Sequence, residues 1–87
     1  MVEREVTIMN RSGLHTRPAA LLVKTAAKFK ADLFILKDGM EINGKSIIGV
    51  MTLAAEQGSK LTLQFTGEDE QAAADAVVDL FKRNFEE

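Results

Sequence analysis

From Val2 to Ile8 apolar and polar side chains alternate, with Val2, Val6 and Ile8 on one side and Glu3, Glu5 and Thr7 on the other. A period of two belongs to a strand with one buried face, so residues 2–8 are expected to form one. Asn10-Arg11-Ser12-Gly13 is a cluster of turn formers. From Thr16 the period lengthens. Ala19, Leu22, Val23, Ala26 and Phe29 recur at helical spacing, while Lys24, Lys28 and Lys30 fall on other faces. Pro18 sits at the start of this helix, where its missing N–H costs nothing.

Residues 32–37 and 40–43 are strand-like on either side of Asp38-Gly39, a dipeptide that favours a tight hairpin. Ser46 precedes the apolar run Ile47 to Leu53, and Gly44 supplies a turn before it. Serine is a good N-cap, so this run is read as a short helix and not a buried strand. Leu61, Leu63 and Phe65 alternate with Thr62 and Gln64 as a fourth strand. Glu68, Asp69 and Glu70 crowd the start of the last helix and Lys82 and Arg83 its end, which suits the helix dipole. Ala73, Val77, Leu80 and Phe81 form its buried stripe. The order β-α-β-β-α-β-α predicts an α+β fold, one antiparallel sheet of four strands covered on one face by three helices.

Composition narrows the function classes. Eighty-seven residues hold one core, so residues 1–87 are read as a single domain. The absence of cysteine excludes disulfides, thiolate metal sites and a cysteine nucleophile. A single histidine cannot build an ordinary zinc site, and no metal or cofactor is expected. No apolar stretch approaches the roughly 20 residues needed to cross a bilayer. The N-terminal residues alternate and lack the apolar run of a signal peptide, so a cytoplasmic location away from membranes is expected. The net charge of −2 is uneven. Residues 1–45 carry eight bases and five acids, whereas residues 46–87 carry three bases and eight acids. A basic half suits an anionic ligand or an acidic partner surface. Nucleic acid fits poorly, because the chain has neither tyrosine nor tryptophan for base stacking and is acidic overall.

Two motifs invite a phosphate. Gly39-Met-Glu-Ile-Asn-Gly44-Lys45-Ser46 matches the phosphate-loop pattern G-x-x-x-x-G-K-[ST]. Such a loop must be free to wrap its N–H groups around phosphates, yet Met40-Glu41-Ile42 alternates like the return arm of a hairpin. A nucleotide-binding domain also needs a parallel sheet for which this chain has no room. The match is read as coincidental. Gly13-Leu14-His15-Thr16-Arg17-Pro18-Ala19-Ala20 is the stronger signal. Its histidine lies directly before a helix start, where free N–H groups and the dipole attract an anion. Arg17 adds a guanidinium fork suited to phosphate oxygens. An imidazole beside a phosphate cradle is what a phosphohistidine requires, although the same spacing also fits an ordinary helix start with a solvated arginine.

This octapeptide resembles the active-site signature of the HPr family, the histidine-containing phosphocarriers of the phosphoenolpyruvate-dependent sugar phosphotransferase system. Lys45-Ser46-Ile47-Ile48-Gly49-Val50-Met51 resembles the family's second signature, and Gly67-Glu68-Asp69-Glu70 is similar to the entry of its last helix. The resemblance spans the chain and implies an open-faced β-sandwich. It implies that His15 accepts the phosphoryl group on Nδ1, that Arg17 steadies it, and that Thr16 belongs to the helix N-terminal cradle. It implies a regulatory serine at Ser46, a target of HPr kinase in organisms that have one. Ile47, Ile48 and Met51 match an exposed apolar docking patch, and Val50 and Leu53 are left to hold the core. The basic half, with Arg11, Arg17, Lys24 and Lys45, would steer towards acidic partners.

The function so implied is relay without independent catalysis. Enzyme I would load His15, and the carrier, as a monomer, would deliver the phosphoryl group to sugar-specific IIA domains. The alternative is a regulatory binding module, either of the nitrogen-related phosphotransferase branch or a corepressor of a transcriptional regulator when Ser46 is phosphorylated. The tail from Asp79 to Phe85 somewhat resembles the nitrogen branch.

Overall fold

The structure, a computed structural model, describes residues 1–86. β1 (Val2–Thr7), β2 (Asp32–Lys37), β3 (Met40–Asn43) and β4 (Lys60–Thr66) form one antiparallel sheet ordered β1-β4-β2-β3. Helices α1 (Thr16–Ala26), α2 (Ile47–Thr52) and α3 (Glu70–Lys82) alternate with them as the sequence predicts. Alternation along each strand decides the layers. Leu33, Ile35, Leu61, Leu63 and Phe65 are buried in one cluster with Ala19 and Leu22 of α1, Val50 of α2, and Val77 and Leu80 of α3. The other face of the sheet bears the row Glu3, Gln64, Phe34 and Asn43, one residue from each strand in register. Gln64 Nε2 donates to Glu3 Oε1 across that row at 3.0 Å.

The turn between β2 and β3 places Asp38 at φ 49° and Gly39 at φ 83°. Two successive positive values are what the two-residue hairpin turn demands, and Asp-Gly accepts them at little cost. Met40 to Asn43 therefore pairs with β2 along its length, and the Gly44 N–H donates to the Leu33 carbonyl at 2.7 Å. These residues form a hairpin arm and not a phosphate loop.

Several boundaries differ from the sequence reading; α2, for one, ends at Thr52 with Leu53 as its C-cap. Ile8 lies one residue past β1, though it still exchanges hydrogen bonds with Ser59 (2.9 Å) and Gly58 (2.7 Å). α1 stops at Ala26, short of Phe29. There the Lys28 and Phe29 N–H groups donate to the Thr25 and Ala26 carbonyls at 3.2 Å, the tighter spacing of a closing turn. Two distant side chains hold that end. Asp69 accepts the N–H groups of Lys30 (2.9 Å) and Ala31 (2.8 Å), and Lys45 Nζ donates to the Phe29 carbonyl at 2.8 Å. α3 accordingly begins at Glu70, because the Asp69 carboxylate is spent on the α1–β2 connection. Beyond α3, Asn84–Glu86 forms a single 3-10 turn with positive φ throughout. It folds Phe85 back into the core, edge-to-face on Phe81 with ring centroids 4.8 Å apart.

Candidate functional site

The loop before α1 is fixed from both sides. Asn10 Nδ2 donates to the Gly13 carbonyl at 2.9 Å, and the Leu14 N–H donates to the Ala55 carbonyl at 2.9 Å. Leu14 is buried, so the chain is anchored just before His15 emerges. His15 is the N-cap of α1, extended at φ −79° and ψ −169°, and its carbonyl accepts the Ala19 N–H at 2.9 Å. Its side chain makes no capping bond. The imidazole is therefore exposed at the positive end of an 11-residue helix, free to bond something other than its own backbone. Thr16 and Arg17 are exposed beside it, and Arg17 joins no ion pair among the described residues. Pro18 is the third residue of the helix and is buried. The free N–H groups at the start of α1 are suited to an anion.

His15 faces a cavity of about 200 Å³ whose other walls are Leu14, Met51, Ala54, Ala55 and Glu56. α1 packs against α2, which brings the second sequence motif to the same end of the molecule. Ser46 caps α2 by accepting the Gly49 N–H on Oγ at 3.1 Å. Val50 and Leu53 are buried, while Ile47, Ile48 and Met51 are exposed, Ile48 by 76%. An apolar triplet left in water on so short a helix is surplus to the core. Lys24 is exposed on the last turn of α1. Lys45, unlike Lys24, is half-buried, and its ammonium donates to the Phe29 carbonyl.

Ala54, Ala55 and Glu56 beside the histidine were not legible as site residues. The alanines bring only a methyl and a carbonyl, and no chemical signal in the sequence marks them. Among the described residues no cluster of three histidine, cysteine or carboxylate side chains could hold a metal ion. No helix among them is long and apolar enough to cross a membrane.

This fold is that of the small phosphoryl carriers. A family model described as "PTS HPr component phosphorylation site" matches residues 2–83, and the chain belongs to the HPr family. The phosphocarrier protein HPr of Treponema pallidum is 46% identical over 87 residues, covering 100% of this chain and 99% of the relative. The crystal structure of HPr from Thermoanaerobacter tengcongensis superposes with a TM-score of 0.97 at 45% identity, covering 100% and 98% of the two chains. Crh of Bacillus subtilis, described as a swapped dimer, gives a TM-score of 0.77 at 42% identity and 97% coverage of both. Members of this family carry a phosphoryl group and are not catalysts in their own right.

Proposed function

We propose that this chain is the histidine relay of a phosphotransferase system, loaded by enzyme I and discharged onto IIA domains. The exposed, uncapped imidazole of His15 at the head of α1 carries the reading. In the transfer, His15 Nδ1 attacks the phosphoryl group on enzyme I, forming its N–P bond as the donor's breaks. The reverse geometry discharges it to the next acceptor. Phosphoryl transfer depends on positioning and charge stabilisation, here from Arg17, the helix N–H groups at Thr16 and Arg17, and the partner's own residues. An open cradle suits a phosphate that must leave again.

Ile47, Ile48 and Met51 form the apolar docking patch, and exposed Lys24 on the last turn of α1 adds a steering charge. Ser46 is the regulatory position, where phosphate would sit on the capped end of α2. Kinship with Crh supports a second reading, a regulatory module working through phosphorylated Ser46. The presence of His15 favours the relay. The dimers described for Crh and for the HPr of Thermoanaerobacter tengcongensis speak against the expected monomer.

Incubation with phosphoenolpyruvate and enzyme I, followed by mass mapping, tests the reading. One phosphate on His15, labile in acid, and none on a His15→Ala variant is the expected result. Arg17→Ala should fold normally and load more slowly. A wild-type chain left unmodified by a competent enzyme I would contradict the relay.

A further inference from the structure

Ala54 stands in the left-handed backbone region at φ 49°. Residues with a Cβ are disfavoured there, and a helix ending this way usually places glycine at that point. Ala54 is where α2 ends. Leu53 caps the helix with its N–H on the Val50 carbonyl at 3.3 Å, and the Ala54 N–H follows onto the Met51 carbonyl at 3.1 Å. The next residue supplies the carbonyl that holds Leu14, at 2.9 Å, immediately before His15. The Ala54 side chain is exposed, and with Met51 it walls the cavity that His15 faces.

Glycine would make this turn without strain, yet the chain carries a methyl there. Strained residues persist where the surroundings over-determine them, and they gather at functional sites. We propose that Ala54 is a positioning residue for His15. Its left-handed turn delivers the Ala55 carbonyl to Leu14, and its methyl, with Met51, limits the excursions of the imidazole. The inference rests on the relay reading and deepens it, for it names what holds an otherwise exposed histidine in line with an incoming phosphoryl group. Small losses of alignment cost transfer rate without any change in docking.

Ala54→Gly in the full chain tests this, because strain and function should move in opposite directions. Relief of the left-handed strain should raise Tm by about 3 °C. The kcat for loading His15 from enzyme I should nevertheless fall about 5-fold as the wall is lost and the turn softens. The KM for enzyme I should not change, since Ile47, Ile48 and Met51 are untouched. A raised Tm with unchanged kcat would make Ala54 a helix end and nothing more. A raised KM at constant kcat would assign it to docking, and a lowered Tm would remove the strain from the account. A wild type that takes up no phosphate would overturn the relay reading and this inference with it. A loaded wild type beside an equally fast variant overturns the inference alone.

Discussion

Gly13 lies so close to Ala55 that a Cβ on it would stand 2.5 Å from the Ala55 carbonyl oxygen. Its φ of 65° is a second demand for glycine. This close approach is what allows the following residue, Leu14, to bond that same carbonyl. Gly13→Ala must push the two loops apart or distort the backbone at the head of α1. It should cost about 2 kcal/mol in denaturant unfolding. Loading of His15 should slow as well, because the residue anchoring the imidazole moves. An unchanged unfolding midpoint would show that the loop retreats freely and does not hold the site.

The start of α3 predicts an acid sensitivity. The Lys30 N–H, foremost, draws the Asp69 carboxyl below its ordinary 3.8; burial opposes it next in size, and the Ala31 N–H, Asp69's own N–H and the Lys45 ammonium complete the lowering. Glu70 is likewise lowered, by the Gly67 N–H first and then by the N-terminal ammonium. A depressed folded value means stability that is present above the unfolded value and is lost as pH falls through the folded one. The wild type should therefore lose thermal stability below the ordinary carboxylate range. Asp69→Asn should lower Tm at neutral pH and flatten that acid slope. Melting both proteins across the acid range checks this, and parallel slopes would remove Asp69 as the cause.

Ser46 separates capping from regulation. Ser46→Ala removes the acceptor of the Gly49 N–H and should cost about 1 kcal/mol, with loading little changed. Ser46→Asp keeps a capping oxygen and adds a charge that the helix start accepts, so the fold and Tm should survive. Loading from enzyme I should slow if the proposed docking patch meets an acidic partner surface, because the added negative charge would repel it. Salt should restore part of the rate, since such repulsion is screened over roughly 10 Å at 0.1 M. Loading equal to wild type, with the fold intact, would leave Ser46 as a helix cap alone.

What was legible in the sequence was local. The alternation of Val2 to Ile8 and of Leu61 to Phe65, the Asp38-Gly39 turn and the Ser46 cap each depend on neighbours a few positions away. His15 was legible because an imidazole directly before a helix start is a local chemical pattern. What escaped depends on long-range contact. Asp69 looked like a dipole charge on α3, yet it is bonded to N–H groups 38 and 39 positions earlier. Lys45 looked like a surface base, and its ammonium ends on a carbonyl 16 positions away. Phe85 looked like tail and is core, because three positive φ values reverse the chain beneath it. Ala54 and Ala55 carry no side-chain chemistry, so only the fold reveals that they border the histidine.

The relay itself is tested most directly by its second half. The chain is loaded with labelled phosphate by enzyme I, separated from the donor, and mixed with a IIA domain. The account predicts that the label leaves His15 and appears on the IIA domain in equal amount, and that Arg17→Ala slows this step without changing its stoichiometry. Label that stays on the chain, or that appears only as inorganic phosphate, would contradict a carrier and favour a regulatory module.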